Sequence, residues 1–114
     1  MNSVNNYSLV LNGNPGNTPV KVDHLSVKKA AVILRAINHK LRQQILRLLD
    51  EHTKLTVTEV YIRLRLEQSV ASQHLAILRR AGFVKTERDG KFIYYMVNTE
   101  RLQTVNQFVD NLVG

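Results

Sequence analysis

The sequence predicts a mainly α-helical fold with one small β-hairpin towards its C-terminal end. Two observations carry most of that prediction. Apolar residues recur at helical spacing through five stretches between residues 23 and 113. Between the fourth and fifth stretches the pattern changes to two β-type runs flanking Asp89-Gly90, and Asp-Gly between such runs is a strong short hairpin signal. A third observation, a Thr56-Val57-Thr58-Glu59 capping signature with Gly82 further on, marks where helices begin and end.

Each element follows from its residues. Residues 1–22 hold six Asn, two Gly and both Pro, with only Leu9, Val10 and Leu11 apolar in a row, and are expected to be a mobile tail with at most a short ordered piece. The folded domain is expected over 23–114. Asp23 or Ser26 can cap a first helix running to about Asn38, whose wide apolar stripe includes Ala30, Ala31, Ile33, Leu34 and Ile37. A second helix starts near Lys40 and carries Leu41, Ile45, Leu48 and Leu49, with His39 in the turn before it. Thr56 and Glu59 form the capping box of a third, bearing Val60, Tyr61 and Leu64. After a turn through Arg65-Leu66-Glu67, a fourth helix runs from Gln68 to about Ala81 and stops at Gly82. The hairpin takes Phe83 to Arg88 and Lys91 to Val97, and Asn98 or Thr99 caps a last helix to about Val113. Four helices, a hairpin and one helix, with two short helices leading into a tight basic hairpin, is the layout of a winged helix-turn-helix.

Composition narrows the function. A net charge of +7 over 114 residues favours a polyanionic partner, although a basic surface also serves solubility. The absence of cysteine removes disulfides, thiolate metal sites, thiol sensors and cysteine nucleophiles, and suits a cytoplasmic protein. No apolar run is long enough for a membrane span, and the Asn-rich start does not read as a signal peptide. No nucleophile–base signature, Gly-rich phosphate loop or carboxylate cluster points to catalysis; no enzyme activity and no cofactor are expected.

The fourth helix carries the chemistry. At about 100° per residue, Ser69, Ser72, Gln73, Ala76, Arg79 and Arg80 share one polar arc, while Val70, Ala71, Leu75, Ile77, Leu78 and Ala81 fill the rest. Such a strip suits the DNA major groove: the helix fits bodily, Gln can pair bidentately with adenine, and Ser can bond a base edge or a phosphate. The helix start near Gln68 and Ser69 offers unpaired N–H groups to phosphate. An ordinary amphipathic surface helix would give the same wheel, but the neighbouring hairpin tips the balance. Residues 61–95 hold seven basic residues against three acidic ones, leaving +4, and Arg88 and Lys91 flank the hairpin tip, where phosphates or the minor groove are in reach. His74 lies on the apolar side of the wheel; burial or capping is one reading, donation to a phosphate another.

The stretch Leu66-Glu67-Gln68-Ser69-Val70-Ala71-Ser72-Gln73-His74-Leu75-Ala76-Ile77-Leu78-Arg79-Arg80-Ala81-Gly82-Phe83-Val84 closely resembles the recognition-helix signature of the ArsR/SmtB family of bacterial repressors. Arg88-Asp89-Gly90-Lys91-Phe92-Ile93-Tyr94-Tyr95 resembles that family's wing, and His39-Lys40-Leu41-Arg42-Gln43-Gln44-Ile45-Leu46 its early helix; together the likeness covers roughly residues 24–113. The resemblance implies a homodimer joined by the first and last helices, binding an imperfect inverted repeat in double-stranded DNA, with repression relieved by an effector the sequence does not name. DNA contacts would then come from Gln68, Ser69, Ser72, Gln73, His74, Arg79, Arg88 and Lys91, and dimer contacts from Leu25, Ala30, Leu34, Leu102, Val105, Phe108, Val109 and Leu112. The family's usual metal positions are not matched. Its Cys-x-Cys pair falls on Thr56 and Thr58, and its last-helix ligands on Thr99, Arg101 and Leu112, so no metal site is expected. Two other readings stay open: a winged helix that binds protein, using Leu9-Val10-Leu11, and a metal-responsive repressor with ligands elsewhere.

Overall fold

The computed structural model describes residues 8–16 and 18–114. It divides into two compact units, residues 1–35 and 36–114, with the division falling in the last turn of the first helix.

The first unit begins with a hairpin that the sequence reading did not resolve. Strand β1 (Ser8–Leu11) pairs antiparallel with β2 (Val20–Asp23), with Leu9 opposite Val22 and Leu11 opposite Val20. The expected mobile tail over 1–22 is thus in part a paired ribbon, while residues 1–7 and 17 lie outside the described residues. Each strand has β-prone residues, and the Asn-Gly-Asn-Pro-Gly segment between them supplies turn chemistry. Asn14 closes that loop by accepting from the Gly16 N–H at 3.1 Å. Leu9, Leu11, Val20 and Val22 share one face because side chains alternate along a strand, so Val10 points away from the other two residues of its apolar run. Helix α1 (His24–Ile37) follows at once. Asp23 is its cap: one carboxylate oxygen accepts from the Leu25 N–H at 3.2 Å and the other from the Ser26 hydroxyl at 2.8 Å. The Ser26 hydrogen bond, then the backbone N–H groups and Lys21, hold the Asp23 carboxyl below its ordinary value.

The second unit contains α2 (Lys40–His52), β3 (Leu55–Thr56), α3 (Val57–Leu64), α4 (Gln68–Arg80), β4 (Val84–Asp89), β5 (Phe92–Val97) and α5 (Thr99–Val113). Its core is made by Ile45 and Leu49 of α2, Val60 of α3, Leu75 and Leu78 of α4, and Phe83, all fully buried. Helix α3 opens on the predicted capping box: Thr56 Oγ1 accepts from the Glu59 N–H at 3.2 Å, and Glu59 Oε1 accepts from the Thr56 N–H at 3.0 Å. Helix α4 ends as Gly82 dictates. With Gly82 at φ +86°, its N–H bonds the Arg79 carbonyl at 3.0 Å and the Phe83 N–H bonds the Leu78 carbonyl at 2.9 Å. That pair of bonds is the Schellman termination, and it turns Phe83 into the core.

The sheet has three strands in the order β3-β5-β4, one more than expected. The added strand is only Leu55–Thr56, paired with Tyr95 and Tyr94, too short to leave a periodic trace in sequence. In the wing, Asp89 pairs with Phe92, so the loop is Gly90-Lys91 rather than Asp89-Gly90. Gly90, at φ +64°, takes the first loop position, where a two-residue hairpin needs a residue free to adopt positive φ. Helix α5 is capped by Asn98, whose side chain accepts from the Arg101 N–H at 3.3 Å, and buries no residue fully.

Candidate nucleic-acid interface

Helix α4 is held from behind and bare in front. Ala71, Leu75 and Leu78 are buried, while Gln68, Ser69, Ser72, Gln73, Ala76, Arg79 and Arg80 are all exposed. The buried residues recur at spacings of four and three, which fixes the rotation of the helix and leaves the short polar side chains facing out. Ala76 in the middle of that strip adds no bulk, so a flat surface can approach the backbone there.

The start of α4 is open. Glu67 is the N-cap residue but makes no side-chain hydrogen bond to the helix, so the first N–H groups, at Gln68 and Ser69, have no side-chain acceptor at the cap. The next two, at Val70 and Ala71, bond the Glu67 carbonyl at 3.1 Å, so the Gln68 and Ser69 N–H groups and the positive end of the helix dipole are what meets a phosphate oxygen.

The wing carries positive charge of its own. Arg88 and Lys91 are exposed at its tip, and Arg88 Nε donates to the Gly90 carbonyl at 3.1 Å, which stiffens the turn. Lys91 Nζ stands 5.4 Å from the centroid of the Phe92 ring. Lower on the ribbon, Lys54 Nζ is 3.8 Å from Glu87 and 4.9 Å from the Tyr94 ring centroid, so Glu87 has a positive neighbour. A shallow groove of about 460 Å³ joins the helix to the wing, lined by Ala76, Arg79, Arg80 and Tyr95.

His74 stands apart from the strip. It is half-buried, and its Nδ1 lies 3.2 Å from Arg42 Nη1 on α2. Burial first, then the charges of His39 and Arg42, holds its imidazole below the ordinary histidine value. Arg42 is the residue the sequence reading missed. It is only 9% exposed. The available signal was its position, three residues before Ile45 and seven before Leu49, where the helical repeat of α2 calls for an apolar side chain. Tyr95 was likewise read only as part of a strand.

The proposed dimer residues fall on two helices. On α5, Leu102, Val105 and Val109 are half-buried, while Phe108 and Leu112 are 50% and 67% exposed. On α1, Leu25 is exposed and Ala30 and Leu34 are half-buried. Thr56 Oγ1 is engaged in the capping box, and Arg101 Nε donates to the Ala81 carbonyl at 3.1 Å. Among the described residues no group of three or more His, Asp or Glu is placed to hold a metal ion, and no helix is long and apolar enough to cross a membrane.

Fold and surface together define a winged helix-turn-helix DNA-binding protein. The description "Bacterial regulatory protein, arsR family" matches residues 39–86, from the start of α2 into the wing. The chain is 34% identical to the helix-turn-helix transcriptional regulator MJ1325 of Methanocaldococcus jannaschii, over 75% of this chain and 96% of that protein. It is 37% identical to the transcriptional activator HlyU of Vibrio cholerae, over 74% of this chain and 77% of the relative. The crystal structure of the transcriptional repressor PagR of Bacillus anthracis superposes with a TM-score of 0.59 at 31% identity, covering 75% of this chain and 99% of that one. The chain belongs to the arsR family of transcriptional regulators.

Proposed function

We propose that this protein is a homodimeric repressor that binds an inverted-repeat promoter site in the cytoplasm, reading bases with Gln68, Ser69, Ser72 and Gln73. The observation that carries the reading is the division of α4 into a buried apolar face and an uninterrupted exposed strip of short polar groups. Arg79, Arg88 and Lys91 act on the backbone phosphates, with the open start of α4 as a further phosphate site. His74 serves from behind the strip, through Arg42.

The dimer reading is supported separately by α5 and by α1, each of which leaves apolar side chains uncovered. Exposed Phe108 and Leu112 suit a self-complementary surface on α5, and exposed Leu25 suits a separate contact on α1. Repression needs only that a dimer occupy the promoter. The relatives include both a repressor and an activator, so the direction of regulation is a matter for a promoter–reporter assay: deletion of the gene should raise transcription from the bound promoter.

Selection of bound duplexes from random DNA at fixed salt tests the whole reading. It should return two half-sites about 10–10.5 base pairs apart, centre to centre. Gln73→Ala should then weaken binding to the selected site by about 1–3 kcal/mol and leave random duplex almost unaffected. Equal loss on both DNAs would remove Gln73 from base reading.

A further inference from the structure

Behind the reading strip, an arginine and two histidines join α4 to the start of α2. Arg42 Nε donates to the Ala36 carbonyl at 2.6 Å, and its Nη1 lies 3.2 Å from His74 Nδ1. A guanidinium has no acceptor, so His74 Nδ1 must accept and cannot carry a proton in this arrangement. His39 is under the same constraint. As the N-cap of α2, its Nδ1 faces the backbone N–H groups of Leu41 at 3.2 Å and Arg42 at 3.4 Å. The two rings are 4.9 Å apart, centroid to centroid. The junction therefore sets one guanidinium beside two imidazoles whose Nδ1 atoms face hydrogen-bond donors.

Protonation of His74 breaks this arrangement in a definite way. A proton on His74 Nδ1 sets N–H against N–H and removes the acceptor for Arg42 Nη1. The charged and titratable groups facing His74 are Arg42 and His39, both from α2 and its cap.

We infer that His74 is a proton-sensitive positioning residue for DNA reading: with Nδ1 free to accept, it holds α4 at its working orientation through Arg42, and acidification releases it. The inference rests on the reading of α4 as the recognition helix. The direction of the His74 shift agrees with the geometry. Because its folded value is lowered, the neutral ring contributes stability fully present above pH 6.5, lost as pH falls through the lower folded value. The sign is diagnostic. Acidification otherwise adds positive charge to a protein and should tighten binding to a polyanion. A loss of specific affinity on acidification is the opposite of what plain electrostatics gives.

The test uses the full chain and two labelled duplexes, the selected inverted repeat and a random sequence, followed by fluorescence anisotropy from pH 8 to about pH 5.5 at constant ionic strength. Specific affinity should fall about tenfold, while random duplex holds steady or binds more tightly. The double variant His39→Asn with His74→Gln keeps a capping side chain and an acceptor for Arg42 but cannot titrate; its specific affinity should not fall on acidification. Hydrogen exchange on the wild-type chain gives a readout that needs no variant: α4 amides should lose protection relative to α3 below pH 6.5. Specific affinity that is flat or rising on acidification, a fall that persists in the double variant, or unchanged relative protection of α4 would overturn the inference. Failure to bind any duplex at pH 8 would instead remove the recognition-helix reading on which it stands.

Discussion

Leu75→Ala separates the scaffold of the recognition helix from its reading surface. Leu75 is 0% exposed and sits on α4 directly after Gln73 and His74, turned into the core with Val60, Leu78 and Phe83. Truncation removes three carbons from a site with no access to water. At about 0.8 kcal/mol per buried methylene, the transfer loss is roughly 2.4 kcal/mol. A cavity left in a core of rigidly packed neighbours adds to this, for a total of about 3–4 kcal/mol within the usual range for buried leucines. The assay is urea unfolding followed by circular dichroism, with wild type and variant at the same protein concentration because dimerisation is linked to stability. The midpoint should move down by the equivalent of that energy with the slope unchanged. Below the transition, affinity for DNA should stay within a few-fold of wild type, since no side chain of the exposed strip has changed. A loss under about 1 kcal/mol would mean that Leu75 is not enclosed as described, and the rotation of α4 with its outward strip would have to be abandoned.

Three further outcomes follow from particular contacts. Thr56→Ala removes the acceptor for the Glu59 N–H, and should cost about 1 kcal/mol in the same urea titration, with Thr56→Ser recovering most of it. Lys91→Ala, at the wing tip, should weaken binding to selected and random duplex alike and lower the slope of log affinity against log salt by about 1, read from anisotropy titrations between 50 and 200 mM salt. Leu112→Arg, at a 67% exposed position on α5, should leave the monomer fold intact by circular dichroism and shift the chain towards monomer in sedimentation velocity, with loss of operator binding; an unchanged dimer would take α5 out of the interface.

Much of the fold was legible because local chemistry dictated it. The capping box at Thr56 and Glu59, the stop at Gly82 and the wing signalled by Asp89-Gly90 all depend on residues within a few positions of one another, and the structure contains each of them. The wing loop shifted by one residue because strand pairing between Asp89 and Phe92, not the dipeptide alone, decides which residues form the turn. The amino-terminal hairpin was hidden for a related reason. Its Asn- and Gly-rich loop dominates the composition, while the pairing of Leu9 with Val22 and Leu11 with Val20 joins positions far enough apart to leave no periodic signal.

The sequence by itself determined the five helices and the wing, their order and the polar arc of α4, because helical periodicity converts spacing directly into a face. Only the tertiary structure decided what stands behind that arc. A charge at position 42 has no meaning until α2 is packed, when its guanidinium bridges the Ala36 carbonyl and His74. Spacing along one helix is a local property, but the partner of a buried charge comes from elsewhere in the chain, and only packing chooses it.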